Sequence, residues 1–279
     1  MSHLPELEVL RKELEREIAG KRIKEATVTV ARFVGRHRNR PAFVKLVEGR
    51  KIEHVARRAT LLALQLDDDA ELMLRLGPRG TLRRERATAE PTGDVKAALT
   101  FTTGGAIHVI DPTDASEMFV VDPEQREELA ELHEGGYDPI DQSQTWPAFS
   151  QRVRTETRPL RALLADPAFL VGLGDLYTDE ILWHAGLAPE RKPASLSTQE
   201  VRRLWRAVQE VLFEAIKQGG TSEEGGLAHA TLHGEPGRYG QQLAVHLREG
   251  RPCQRCRAAI EVVDLGGGVG AHRCPACQT

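Results

Sequence analysis

Apolar residues recur at helical spacing over residues 4–18, with charged residues between them. A period of about 3.6 residues predicts an amphipathic helix. Gly20 follows the pattern, at a position where glycine commonly ends a helix. The apolar positions are Leu4, Leu7, Leu10, Leu14 and Ile18. We therefore expect an N-terminal helix that packs one face against a core.

Between residues 23 and 110 the pattern changes to short alternating or continuous apolar runs, separated by glycine, proline and aspartate. Runs of this kind are typical of β-strands. The predicted strands cover residues 26–34, 42–47, 61–66, 71–76, 97–102 and 106–110. They indicate a β-sandwich or barrel-like domain behind one helix.

Helical periodicity returns after residue 123, interrupted by prolines and glycines. The predicted helices cover residues 124–132, 146–151, 158–164, 176–184 and 198–218. The glycine-rich stretch 218–238 is expected to be a linker or a mobile loop. The chain is thus predicted to be an α+β protein with three domains: a helix plus β-sandwich at 1–122, a helical domain with its loop at 123–237, and a C-terminal module at 238–279.

All four cysteines lie in the last 27 residues, as two Cys-x2-Cys pairs. The pairs are Cys253 with Cys256 and Cys274 with Cys277. Four sulfurs at tetrahedral angles suit one Zn²⁺ ion in a closed structural site. Disulfides are the alternative, but the charged start of the chain is unlike a secretory signal. We expect one structural zinc ion in a β-hairpin, with a strand at 259–263 and glycines 266–268 and 270 at its tip.

The formal net charge is −3 over 279 residues, so any binding to nucleic acid has to depend on local patches. Residues 238–279 hold six arginines against three acidic residues, and basic runs also occur at 32–40 and 79–86. Solvated loops are the alternative interpretation of these runs. The candidate DNA contacts are Arg36, Arg38, Arg79, Arg83, Arg84, Arg255 and Arg273.

The cellular setting follows from what the sequence lacks. No apolar run approaches the roughly 18 residues of a membrane span. We expect a monomer in the cytoplasm or at the nucleoid, without a small-molecule cofactor.

A longer motif, VGLGDLYTDEILWHAGLAP, covers residues 171–189. It resembles the helix-two-turns-helix motif of the formamidopyrimidine-DNA glycosylase and endonuclease VIII family. Segments across nearly the whole chain resemble the same family, namely residues 4–9, 57–59, 76–77, 111–112, 234–237 and the cysteine pairs. The resemblance implies a β-sandwich domain, a helical domain with a DNA-binding cleft between them, and a zinc β-hairpin. It also implies excision of oxidised bases followed by strand cleavage at the abasic site.

The family's chemistry depends on residues that this chain lacks. In the family, an N-terminal proline amine forms a Schiff base with the sugar C1′, and the next residue, a glutamate, transfers protons. Ser2 and His3 occupy these positions here, and Thr60 stands where the family has a lysine. Glu6 matches the family.

The positions that hold DNA in the family are altered too. Pro78 follows Leu-Gly in place of a methionine wedge, and Asp114 and Ala115 follow Asp-Pro in place of an arginine–phenylalanine pair. Asp175 replaces an asparagine that grips phosphate, and Val269 replaces an arginine of the zinc hairpin. As an alternative, Asp175 is an N-cap for the helix that follows.

Three hypotheses follow. The first is a zinc-containing member of this DNA-repair family that binds damaged or distorted DNA without excising a base. The second is a retooled glycosylase or abasic-site lyase, in which the Ser2 α-amine forms the Schiff base and His3 or Glu6 transfers protons. The third is a scaffold that binds a protein partner. The sequence leaves open whether the protein is an enzyme.

Overall fold

The computed structural model describes residues 3–129, 132, 136–141, 145–222, 231–265 and 270–279. The chain forms two compact units, each assembled from two stretches. Unit 1 contains Met1–His133 and Gln218–Gly240, and unit 2 contains Glu134–Lys217 and Gln241–Thr279. No described helix is long and apolar enough to cross a membrane.

These units are divided differently from the predicted domains. The stretch 218–238 was expected to be a linker or mobile loop of the helical domain, but Gln218–Gly240 belongs to unit 1. Leu232 is fully buried in the core of that unit. The boundaries at residues 122 and 237 stay a prediction about domains.

Unit 1 begins with helix α1 (Leu4–Ile18), which has the predicted bounds. Leu7, Leu10, Leu14 and Ile18 are buried in one core cluster with side chains from two antiparallel β-sheets. The first sheet has the order β2 (Ile52–Arg58), β3 (Leu61–Leu66), β4 (Glu71–Arg75) and β8 (Glu117–Val121). The second has the order β1 (Ile23–Val28), β6 (Val95–Phe101), β7 (Ala106–Ile110) and β5 (Thr81–Glu85). The predicted helix-plus-sheet architecture is confirmed.

One predicted strand is wrong. Residues 42–47 lie in helix α2 (Arg40–Val47), because the Asn39 side chain caps it by accepting the Ala42 N–H at 2.8 Å. A proline in the first turn also favours a helix start. The predicted strand 26–34 is too long, since β1 ends at Val28 and Ala31–Val34 is a 3₁₀ helix.

Three strands, β2, β5 and β8, were not predicted. Charged residues interrupt the apolar pattern of β2 and β5, as Arg83 and Arg84 do in β5. Pairing with neighbouring strands stabilises these two segments although their own apolar content is low. β8 is a short apolar run, residues 118–121 after Glu117, that the sequence analysis did not assign.

After a short helix α3 (Pro123–Glu127) in unit 1, unit 2 contains the longer predicted helices. They are α4 (Trp146–Arg154), α5 (Leu160–Ala165), α6 (Gly174–Ala185) and α7 (Thr198–Lys217). The predicted helix 124–132 is shorter than expected, whereas 198–218 is nearly correct. A long amphipathic pattern predicts a helix well, because a stripe of buried residues such as Val201, Leu204 and Val208 needs that geometry.

The C-terminal hairpin consists of β9 (Glu261–Asp264) paired antiparallel with β10 (Gly270–Arg273). The predicted strand 259–263 overlaps β9. The predicted glycine tip, apart from Gly270, and Val269 lie outside the described residues.

Candidate metal centre and nucleic-acid interface

The four cysteine sulfurs converge in unit 2. The Sγ atoms of Cys253 and Cys277 are 3.9 Å apart, those of Cys256 and Cys274 are 3.3 Å apart, and all four lie within 4.8 Å of one another. Cys253 and Cys274 are buried and Cys256 is exposed. This set could hold one metal ion such as zinc, and with four protein ligands it would be a closed site without an open position for catalysis.

Backbone N–H groups in the first cysteine turn stabilise the thiolate form of Cys253. Burial raises the pKa of the Cys253 thiol, but the backbone N–H groups of Cys256 and Arg255 oppose this effect, and the pKa is lowered to about 6. Burial and the neighbouring thiols raise the pKa of Cys277 to about 12. One thiolate therefore forms easily, and a bound dication would favour ionisation of the rest.

Two arginines that were predicted to contact DNA make contacts that stabilise the cysteine module, the C-terminal segment that carries the four cysteines. The Arg255 guanidinium stacks 3.7 Å from the Trp183 ring and donates to the carbonyls of Trp183 and His184 at the end of α6, at 2.8 and 3.3 Å. Arg273 donates to Glu261 at 2.8 Å and also pairs with Glu190. Both arginines thus have a structural role, and their contact with DNA stays a prediction.

Helix α6 carries two buried carboxylates that face the C-terminal module. Glu180 accepts the backbone N–H groups of Ala244, Val245 and His246 at 2.8, 2.9 and 2.9 Å. Burial raises its pKa, and these three bonds oppose the shift. The carboxylate therefore fixes the turn that precedes the first cysteine pair.

Asp179 is the centre of a second polar cluster. Its Oδ2 lies 2.9 Å from His246 Nδ1 and 3.1 Å from His272 Nδ1, and its Oδ1 accepts from Arg161 Nε at 2.8 Å. The two histidines and the aspartate could by distance hold a metal ion. Because Arg161 already neutralises the carboxylate, we interpret the group as a hydrogen-bonded cluster.

Asp175, a candidate phosphate position, lies inside the first turn of α6. The N-cap residue is Leu173, so the alternative of Asp175 as an N-cap is wrong. Its side chain is 65% exposed and pairs with Arg161 Nη2 at 2.8 Å. An exposed carboxylate at this point repels phosphate, although the paired arginine reduces that repulsion.

At the start of unit 1, the candidate catalytic residues His3 and Glu6 are neighbours. Ser2 lies outside the described residues. His3 is the N-cap of α1, and its Nδ1 lies 4.0 Å from Glu6 Oε2. Glu6 is buried, and its Oε1 accepts the Thr221 N–H at 2.7 Å. Thr60 lies in the β2–β3 turn, beside Ala59 with a positive φ of 53°.

Two acidic residues of α1 bind the two sides of the stretch that includes residues 223–230, which are not described. Glu6 accepts from Thr221, and Glu13 accepts the Leu232 N–H at 2.6 Å. Gly220 has a φ of 81°, and a Cβ there would approach Glu6 Cγ to 2.9 Å. Glycine is required for this close approach.

The loops that carry wedges in the family pack against each other here. The Asp111 carboxylate accepts N–H bonds from Thr113, Ala115 and Ser116 at 2.6–2.9 Å. Burial raises the pKa of Asp111, but these bonds and the hydroxyl groups lower it overall. A Cβ on Gly77 would approach the Ala115 Cβ to 2.8 Å. This contact fixes both loops, and the side chains at the wedge positions, Pro78, Asp114 and Ala115, are small.

The remaining candidate arginines divide into two groups. Arg36 pairs with Glu117 through two bonds of 2.7 and 3.1 Å and lies 3.7 Å from the Phe119 ring centre, and Arg84 donates to Glu17 at 2.8 Å. Arg38, Arg79 and Arg83 have no ion pair within the described part of the chain. The second group is better suited to bind phosphate.

Sequence reasoning did not identify Asp179, Glu180 or Glu13 as structural anchors. Acidic residues on an amphipathic helix look like solvent-exposed positions. The apolar residues on both sides of Asp179 and Glu180, Tyr177 and Ile181 among them, are the one sequence signal that this part of the helix is buried.

Comparison with known proteins identifies the family. The formamidopyrimidine-DNA glycosylase N-terminal domain matches residues 1–118, and the H2TH domain of the same glycosylase matches residues 136–225. The chain is similar to a formamidopyrimidine-DNA glycosylase of Thermus thermophilus, with 35% identity over 100% of this chain and 98% of the relative.

Solved structures agree with this match. The fold is similar to a complex of the Lactococcus lactis Fpg with DNA containing an abasic site, with a TM-score of 0.86, 27% identity and 99% of each chain covered. It is also similar to MutM (Fpg) from Thermus thermophilus, with a TM-score of 0.83, 35% identity and 99% and 98% of the two chains covered. The chain belongs to the formamidopyrimidine-DNA glycosylase family.

Proposed function

We propose that this protein acts in DNA repair by binding damaged or distorted DNA, without the glycosylase and abasic-site lyase chemistry of its family. The similarity to an Fpg bound to DNA with an abasic site supports DNA as the partner. A structural zinc ion held by the four cysteines belongs to the same proposal. We infer a monomer located in the cytoplasm or at the nucleoid.

The observation that carries this proposal is that His3 stands where the family has a glutamate. Glu6, which matches the family, does not replace that carboxylate, because it is buried and accepts the Thr221 N–H at 2.7 Å. A carboxylate that holds a backbone group in place is poorly suited to accept a proton from substrate. His3 and Thr60 supply neither the carboxylate nor the ammonium group of the family.

The side chains of these two loops support the same proposal. Extrusion of a base leaves a gap in the stack, which costs a few kcal/mol unless a side chain fills it. Ala115 and Pro78 are too short to fill such a gap, and Asp114 would bring a charge into it. Recognition of DNA that is already distorted does not carry this cost.

A second candidate function is an abasic-site lyase that uses the Ser2 α-amine. His3 Nδ1 lies 4.0 Å from Glu6 Oε2, so the two groups could exchange a proton after a small rotation. This candidate requires Ser2 to be the first residue of the mature chain, which an intact-mass measurement establishes.

Borohydride trapping on a duplex with one abasic site tests both functions, with an electrophoretic binding assay run on the same duplex. We expect a retarded complex and no covalent adduct. An adduct that disappears when the Ser2 amine is acetylated would establish the second candidate. Absence of both complex and adduct would favour the protein scaffold.

A variant with both Ser2→Pro and His3→Glu is the matched control. It restores the two family residues at these positions, so formation of an adduct by this variant alone shows that the wild-type protein binds the site but lacks the chemistry. Absence of an adduct with either protein, while both bind the duplex, shows that other positions, such as Thr60, also limit the reaction.

A further inference from the structure

Trp183 lies near the C-terminal end of α6, and its indole N–H is a buried donor. The residue is 5% exposed, and no acceptor completes a hydrogen bond with Nε1 within the part of the chain that the structure describes. A buried donor without an acceptor is unfavourable, and the N–H of a buried tryptophan usually has a partner. The orphaned N–H therefore indicates an acceptor that forms when a neighbouring group changes.

The cysteine sulfurs are the neighbours that can change in this way. Trp183 packs in one buried cluster with Cys253 and Cys274, and both cysteines are fully buried. Burial raises the pKa of the Cys253 thiol, and the Trp183 side chain is one of the groups that oppose this effect. A thiol is a weak acceptor, whereas metal binding converts it to an anionic thiolate, which accepts a hydrogen bond more strongly.

Arg255 holds the indole beside the first cysteine pair. Its guanidinium lies 3.7 Å from the centre of the Trp183 ring and donates to the carbonyls of Trp183 and His184 at 2.8 and 3.3 Å. Since Arg255 stands between Cys253 and Cys256 in the sequence, these contacts join the cysteine turn to the end of α6. The guanidinium contacts the face of the ring, so it does not compete for the N–H at the ring edge.

The proposed metal site needs donors of this kind. Four thiolates around one Zn²⁺ ion leave an excess of negative charge, and two of the four cysteines are fully buried. Buried charge is unfavourable unless hydrogen bonds or opposite charges compensate it. Groups that donate to the ligands of a metal ion therefore contribute to its affinity. Trp183 is the one residue of the described cluster whose side chain carries an N–H group.

We propose that the Trp183 indole N–H donates a hydrogen bond to the Cys253 thiolate when the four cysteines bind zinc, and that this bond raises the affinity of the site for the metal. The inference rests on the zinc ion of the proposed function. It assigns a positioning role to a residue that is not one of the four ligands.

Trp183→Phe tests the effect on affinity, because it removes the N–H and keeps an aromatic ring for Arg255. Zinc affinity of the full-length protein is measured by competition with a chromophoric chelator. We expect the variant to bind one zinc ion between about tenfold and a hundredfold more weakly than the wild type. Trp205→Phe is the matched control, because it removes a tryptophan of the same unit whose ring packs 4.9 Å from that of Phe149. The control should keep the wild-type affinity.

A measurement on the wild-type protein detects the hydrogen bond itself. With an NMR-active cadmium isotope in place of zinc, a bond from the indole N–H to a coordinated sulfur should give scalar coupling between that proton and cadmium. The Trp183 signal is identified as the indole signal that remains in both Trp146→Phe and Trp205→Phe. This measurement does not depend on whether Trp183→Phe folds.

The possible outcomes separate the inference from the proposed function. Absence of coupling in the metal-loaded wild type overturns the inference, even if Trp183→Phe binds zinc more weakly, because the indole would then only pack against the site. Unchanged zinc affinity of Trp183→Phe also overturns it. Both results leave the proposed zinc ion and DNA binding intact. Failure of the wild-type protein to bind any metal refutes the proposed zinc ion itself.

Discussion

At the scale of single residues, buried and half-buried carboxylates position the backbone in both units. Glu6 and Glu13 bind the described flanks of one stretch, Asp111 closes a short loop, and Glu180 holds the turn before the cysteines. An ionised carboxylate accepts several N–H bonds at once, and such charge-assisted bonds are stronger than neutral ones. Replacement of any of these residues removes the acceptor from a defined segment.

Glu6 allows a direct test of this role. Glu6→Ala removes the acceptor of the Thr221 N–H and should lower the free energy of unfolding by about 1–3 kcal/mol. Glu6→Gln keeps a carbonyl oxygen in the same place and should lower the free energy of unfolding by a smaller amount. Urea unfolding of the two variants gives both values, and equal destabilisation would contradict the hydrogen-bonding role.

Arg79 and Arg36 form a matched pair of arginines with different expected effects. Arg79 is exposed and has no ion pair among the described residues, so Arg79→Gln should reduce the salt slope of DNA binding by about 1 without loss of stability. Arg36 is bound to Glu117 and Phe119, so Arg36→Gln should leave the slope unchanged and lower stability by about 1 kcal/mol. Anisotropy titrations and urea unfolding measure the two effects, and a reversed result would assign the DNA contact to Arg36.

At the scale of elements, the longest helix has a well-defined start. Ser197 and Glu200 exchange hydrogen bonds, with Ser197 N–H donating to Glu200 at 2.7 Å and Glu200 N–H donating to the Ser197 hydroxyl at 3.2 Å. This is a capping box, and Arg191 adds a bond to Glu200 at 2.6 Å. The bond from Arg191, followed by those from Ser197, lowers the pKa of Glu200 to about 2.

The lowered pKa predicts a pH dependence for helix α7. A carboxyl group with a depressed folded-state pKa stabilises the fold above its ordinary pKa of about 4.5, and the contribution is lost as the pH falls toward 2. Glu200→Gln should therefore lower the free energy of unfolding by about 1 kcal/mol at pH 7 and by much less near pH 3. The quantity to measure at each pH is the difference in the free energy of unfolding between wild type and variant. Loss of metal in acid affects both proteins and therefore cancels in this difference. A difference that does not vary with pH would show that Glu200 is not ionised in the cap.

At the scale of the whole molecule, the chain builds each compact unit from separate stretches. The cysteine module belongs with helices α4–α7, whereas Gln218–Gly240 belongs with the two sheets. Trp183 of α6 packs in one cluster with Cys253, Cys274 and Val245. Loss of the metal should therefore affect unit 2 first.

Removal of the metal makes this expectation measurable. Metal analysis should give one zinc ion per chain, and Cys274→Ser should abolish it, whereas Asp179→Asn should leave the stoichiometry at one. Calorimetry of the chelated protein should show an early transition from unit 2 and a later one from unit 1 that resembles the untreated protein. If the wild-type protein bound two zinc ions and Asp179→Asn bound one, the second ion would belong to the cluster of Asp179, His246 and His272.

The sequence by itself determined the elements whose pattern is long or chemically distinctive. Helix α1 has its predicted bounds, and helices α6 and α7 lie where they were expected, because an apolar stripe can be buried only in that geometry. The cysteine spacing predicted four converging sulfurs, which the structure confirms. The motif at 171–189 predicted the family.

Only the tertiary structure decided how polar residues are used. The sequence cannot distinguish Arg36, which is held by Glu117, from Arg79, because both lie in arginine-rich loops. Nor could it show that Glu180 binds a turn more than sixty residues further along the chain. Apolar burial follows a local period that can be read along the sequence, whereas a hydrogen bond or ion pair depends on which distant segment the fold brings within about 3 Å.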